Sequence, residues 1–180
     1  MELIPVALFG INSEMCEDFF EQFQDLLSPE KEGYEELLYK IEGQLKMEHL
    51  SLIDEWSGYT PLNIHDDVAQ EILSILEISS FPDVSILESL LTIDNMDVNR
   101  ISHWLHFTTH VYPIWNEETC AGLRKLGLNA PYEDHMAAYG KYVEMIEGMK
   151  EHAPMDALPE SPLPRQRLLE NALAGWSRRA

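Results

Sequence analysis

The apolar residues of this 180-residue chain recur at intervals of three and four, in short runs cut by proline and glycine. Nowhere do they alternate for long enough to build a sheet. That spacing predicts an all-α fold: one domain of about seven or eight helices. Hydrophobic residues make up 45%, ordinary for a globular protein. The run Leu3 to Phe9, ending at Gly10, is the one segment readable as an edge strand or an extended arm.

Helix starts and stops can be placed along the chain. Asn12 and Ser13 cap a first helix, acidic in its first turn, which Ser28-Pro29 ends. A second is expected from about Glu32 to Trp56, weakened by Gly43, before the break at Ser57 to Pro61. Val68, Ile72, Leu73 and Leu76 mark a third after Asp66-Asp67. A shorter fourth follows Phe81-Pro82-Asp83, with capping-box spacing at Ser85 and Glu88. The tight connection Thr92 to Asp97 leads to a fifth, from Val98 to about His110, ending before Pro113. Asn116 caps a sixth that Gly127 stops, and Met136, Tyr139, Val143, Ile146 and Met149 outline a seventh. The expected organisation is an acidic helical body over 1–153, a stiff Pro-rich linker over 154–164 and a basic amphipathic helix over 165–180. The apolar side of that last helix, Leu168, Leu169, Leu173 and Trp176, packs on the body or on a second copy in a homodimer.

Charge narrows the functional classes. Thirty-two Asp and Glu against twelve Lys and Arg give −20, and the excess is uneven. Residues 1–100 hold 22 acids against Lys31, Lys40, Lys46 and Arg100, whereas Pro164 to Ala180 carries +3. Such a field repels nucleic acid and anionic membranes, so direct binding to either is not expected. No apolar stretch approaches the roughly 18 residues of a membrane helix. The N-terminus lacks the basic n-region and long apolar run of a signal peptide. Cys16 and Cys120 have no metal-type spacing. A cytoplasmic location with reduced, buried thiols is the expectation.

The clearest cluster of chemistry-bearing residues is His103, His106 and His110. On a helix, the second and third lie about 60° and 20° from the first, so all three share one face. Neutral imidazoles so placed could hold Zn or another divalent metal, with Glu133 or Asp134 completing the set. They could equally decorate a polar helix face. Trp104, Trp115 and Asn116 are the residues expected to line a pocket beside them. His65-Asp66 resembles the paired metal ligands of HD-type phosphohydrolases, with His49 the only loose upstream candidate, and also suits an ordinary helix start. No Gly-rich phosphate loop and no nucleophile elbow occurs.

Read together, Ile101-Ser102-His103-Trp104-Leu105-His106-Phe107 and the continuation to Tyr112-Pro113-Ile114-Trp115-Asn116 carry a further signal. They resemble a pattern in prokaryotic proteins related to the helix-hairpin-helix base-excision glycosylases. The resemblance covers about residues 87–127 and implies a short helix, a tight connection, a helix, then a Pro-Ile-Trp turn opening another helix. It also implies a hairpin whose glycine backbone grips a DNA phosphate. Here that hairpin is Asp94-Asn95-Met96-Asp97, with no glycine and two carboxylates. The family's catalytic aspartate falls on Asn116 and the lysine of its bifunctional members near Asn99, so the resemblance implies a scaffold without DNA grip or chemistry.

The sequence therefore reads as a non-catalytic acidic helical protein that binds a protein partner with a basic surface. One form is an inhibitor that imitates the charge of DNA, of the kind phages and plasmids encode. The alternative is an enzyme, either a metal-dependent hydrolase on the three histidines or a diverged glycosylase-like protein.

Overall fold

Capping side chains or left-handed residues bound α1, α3, α4, α6 and α7 of the structure, a computed structural model that describes residues 11–180. The strand or arm expected at Leu3 to Phe9 lies outside the described residues. Among those described there are nine α-helices, one 3-10 helix and no strand, so the chain is all-α. Asn12 accepts the Met15 N–H at 3.0 Å and opens α1, Ser13–Glu21. Gln22 interrupts the expected first helix, which resumes as α2, Phe23–Leu26.

The long helix expected from Glu32 to Trp56 is instead two, α3 (Tyr34–Lys40) and α4 (Met47–Ser57). The reason is Gly43: its φ of +76° is a left-handed conformation that cannot continue a right-handed helix. Next come α5 (Asp66–Ile78) and a 3-10 helix, Ser85–Thr92, where a short α-helix was expected. Its Ser89 and Thr92 hydroxyls donate to carbonyls three residues back, Ile86 and Ser89, which suits the tighter winding. The remaining helices fall where the spacing predicts: α6 (Val98–Thr109), α7 (Glu117–Lys125), α8 (Met136–His152) and α9 (Arg165–Arg178).

The chain divides into two compact units. The first comprises the described residues through Pro29, then Trp115–Glu133 and Lys141–Ala180; the second comprises Glu30–Ile114 and Asp134–Gly140. In the first, α9 packs on α7 and α2, so the basic C-terminal helix belongs to a core rather than trailing from it. Two glycines bring the backbones together: a Cβ on Gly122 would lie 2.2 Å from the Leu173 carbonyl oxygen, and one on Gly175 would lie 2.2 Å from that of Leu26. Leu168, Leu169, Leu173 and Trp176 are buried there, with Trp176 edge-on to Phe19 at 5.8 Å. Asn171 clamps Ser28 by accepting its N–H at 2.8 Å and donating to its carbonyl at 2.7 Å. Arg178 pairs with Glu118 of α7 at 2.6 Å.

In the second unit α6 is the axis. Eight of its twelve residues are buried, and it packs against α4 and α3, while α5 closes on the 3-10 helix. Each fully buried large apolar side chain there contributes on the order of 1.5–3 kcal/mol.

The two close approaches in the first unit predict a sharp contrast among glycine substitutions. Gly122→Ala or Gly175→Ala must push a backbone aside and should cost about 3 kcal/mol or more in urea denaturation. Gly43→Ala meets nothing within 4 Å and should cost only the left-handed penalty of about 1–2 kcal/mol. Equal losses at all three would show that the helices do not meet backbone to backbone.

Candidate functional site

The three histidines of α6 go to three different environments. His106 is fully buried: its Nδ1 lies 2.8 Å from the Tyr112 carbonyl and its Nε2 2.6 Å from the Tyr34 hydroxyl. A carbonyl only accepts, so Nδ1 carries the hydrogen and donates it to Tyr112, while Nε2 pairs with the Tyr34 hydroxyl. Both nitrogens are thereby occupied inside the core. His103 is half-buried and donates from Nδ1 to the Asn99 carbonyl at 2.8 Å, with its ring beside Trp56 and Tyr59. His110 ends the helix in a left-handed conformation, φ 60°, and is exposed. Among the described residues no three His, Cys, Asp or Glu side chains converge as a metal ion would require. Asp134, suggested as a further ligand, instead accepts the Val98 N–H at 2.9 Å.

The other candidates also have structural work. Trp104 is fully buried and donates from Nε1 to Asp54 at 2.8 Å. Trp115 is buried in the first unit against Tyr132, with ring centroids 4.5 Å apart. Asn116 is the cap of α7, accepting the Thr119 N–H at 2.9 Å and its hydroxyl at 3.0 Å. His65 stands exposed just before α5, and His49 Nδ1 accepts the Lys46 N–H at 3.3 Å. Burial pushes both thiols, Cys16 and Cys120, up to about 12, far from the range of a reactive thiolate.

What the sequence reading missed is the polar centre of the second unit. Arg100, 2% exposed, spreads its guanidinium over four acceptor atoms. Nε and Nη2 meet the two carboxylate oxygens of Asp54 at 3.1 and 3.2 Å, Nη1 donates to the Asn95 carbonyl at 2.7 Å, and Nη2 also reaches the Thr60 carbonyl. Its Cζ lies over the Tyr59 ring, 4.7 Å from the centroid. Burial pushes the Asp54 carboxyl above the usual carboxylate range, and the Arg100 and Trp104 hydrogen bonds pull it back. Asp97 caps α6 through the Arg100 N–H at 2.7 Å and also accepts from the Tyr59 hydroxyl at 2.9 Å. Two signals were available. Asp54 sits on the apolar stripe of α4 with Leu50 and Ile53, and Arg100 is the sole arginine in the first hundred residues.

Beside this network opens a cleft of about 1050 Å³, lined by Tyr59 to His65, Val68, Thr92 to Asp97 and Arg100. Its walls mix apolar Leu62, Ile64, Val68, Ile93 and Met96 with Asn63, His65 and the carboxylates Asp94 and Asp97. It is a concave surface with a rigid polar base, suited to holding a ligand or a segment of chain. Other carboxylates of the same unit stand exposed, among them Glu35 and Glu36 of α3, Glu48 and Glu55 of α4, and Asp66, Asp67, Glu71 and Glu77 of α5.

Two measurements check these assignments. Asp54→Ala leaves Arg100 buried without its partner and should cost about 3–5 kcal/mol, while Asp54→Leu combined with Arg100→Met should recover most of that loss. A double variant as unstable as the single one would mean that the charge is not what the site depends on. Ellman's reagent at about pH 8 should find neither thiol in the native protein and both after denaturation; rapid labelling of the folded chain would contradict the burial of Cys16 and Cys120.

Comparison with known proteins finds no match to this chain among protein-family models, curated proteins or solved structures.

Proposed function

We propose that this chain acts without catalysis, by binding a protein partner with a basic contact surface through the carboxylates of its second unit. One observation carries the reading. Sixteen acids lie between Glu30 and Ile114, and Asp134 is the seventeenth of the unit, against Lys31, Lys40, Lys46 and Arg100 alone. Two of those four cations are engaged internally: Arg100 on Asp54, and Lys31 over the Trp56 ring at 4.7 Å while donating to the Trp56 carbonyl. Lys40 and Lys46 are left to offset the exposed carboxylates.

An uncompensated field of this kind speeds the encounter with a basic partner and orients it. A nucleic-acid-binding protein is the partner class it fits best, since such a protein presents cations to about one phosphate charge per 1.7 Å of duplex axis. The concrete form is then an inhibitor that competes with DNA. The enzyme reading draws no support from the residues it depends on, since His106 is held by Tyr34 and Tyr112 and Asn116 by the start of α7. Among the described residues no helix is long and apolar enough to cross a membrane.

Capture on the immobilised chain, at about 50 mM and about 500 mM salt, tests the proposal. A basic protein should be retained at the lower concentration, released at the higher one, and kept off by added duplex DNA. Retention indifferent to salt, or no retention, would count against an electrostatic partner surface.

A further inference from the structure

Pro61, Leu62, Asn63 and Ile64 make no hydrogen bond, from backbone or side chain, to any described residue. Their neighbours are tied down. The Tyr59 N–H donates to the Asp54 carbonyl at 2.8 Å, the Thr60 carbonyl accepts from Arg100, and the His65 carbonyl accepts the Ala69 N–H at 3.0 Å. Four consecutive residues are thus held at both ends while their own main-chain groups bond to no described residue. Exposure along them alternates: Pro61, Asn63 and His65 are exposed, Leu62 and Ile64 half-buried. That period of two is the signature of an extended segment with one side facing inward. His65 itself has extended backbone, φ −71° and ψ 155°.

A row of unused N–H and C=O groups on an extended segment is a template for a second chain. A main-chain hydrogen bond that replaces one to water adds only modestly to affinity, so side-chain pockets must supply the selectivity. The same cleft provides them. Its other lining segment, Thr92 to Asp97, offers the apolar surface of Ile93 and Met96 and the exposed carboxylate of Asp94.

We infer that this cleft takes an extended segment of the partner protein, paired through main-chain hydrogen bonds with Leu62 to Ile64. An apolar side chain lies against Ile93 and Met96, and a Lys or Arg meets Asp94. The inference rests on the reading that the second unit meets a basic partner, and adds the place of contact and the conformation of what is bound.

The probe is the acetylated and amidated pentapeptide Lys-Val-Lys-Val-Lys, compared with the same peptide N-methylated at both valines. Each is titrated at low salt into the full ¹⁵N-labelled chain. The first should shift the amides of residues 59–65 and 92–97, and N-methylation should weaken binding about tenfold by removing main-chain donors. Asn63→Pro, which removes one donor from the chain itself, should weaken the first peptide about fivefold with an unchanged melting temperature. The comparison of the two peptides requires no variant, so it decides the matter even where Asn63→Pro disturbs the fold. Equal affinity of the two, with shifts on α3 or α5, would overturn the cleft and leave the acidic-surface reading standing. No shift with either peptide would also overturn the cleft, and salt-dependent capture would then judge the broader reading alone.

Discussion

A guanidinium removed from water at Arg100 dictates much of the second unit. An ionised group buried without partners costs several kcal/mol, so every donor of the fork needs an acceptor at a fixed place. Asp54 of α4 supplies two, and the carbonyls of Thr60 and Asn95 supply two more, which meets four of the five N–H groups. One side chain therefore fixes a helix and two loops relative to α6. Such a pair need not make the fold more stable than an apolar replacement would. Its effect is on geometry: the planar fork accepts few arrangements, and the Tyr59 ring beneath Cζ narrows them further.

A chain at −20 must also fold against its own repulsion, and the placement of its acids shows how. Asp97 and Asp134 accept N–H groups at the start of α6. Glu14, Asp66 with Asp67, and Glu117 with Glu118 occupy the first turns of α1, α5 and α7, where the helix dipole favours negative charge. Asp54 and Glu170 are buried, and most of the other carboxylates stand exposed, where charges more than about 8 Å apart are largely screened at physiological salt. Folding uses one part of the acidic excess and tolerates the rest. The tolerated part gives the second unit its outward field.

Local signals in the sequence carried a good deal of this architecture. Asn12 and Asn116 are caps in the structure because their short side chains reach back to free N–H groups, and Gly127 stops α7 with φ +93°. Gly43 misled because Ile41 and Leu45 keep helical spacing across it, and periodicity does not report a backbone dihedral. The three histidines misled for another reason. Helical angles group them on one face, but α6 is enclosed around most of its circumference, so the face has no common environment. Asp54 and Arg100 stand 46 positions apart, beyond any periodic signal. The cleft was illegible because two loops form it, and neither has a motif of its own.

The walls of that cleft are unlike in a way that bears on what it can hold. Thr92 to Asp97 is braced: the Asn95 carbonyl is held by Arg100, Asp97 by Tyr59 and the start of α6, and Asn95 takes the left-handed turn with φ 64°. Asparagine tolerates that conformation better than most residues, so the turn is stable without glycine. Pro61 to Ile64, facing the same space, is fixed only at its ends. A braced wall keeps its apolar and acidic groups in place before anything binds, which lowers the ordering cost of association. A wall with unused main-chain groups can instead adjust its register to an incoming chain. The tight turn before α6 is built on Asn95 and closed by Asp97. With its own carboxylate on the α6 N-terminus, it presents negative charge where an anion would otherwise be drawn.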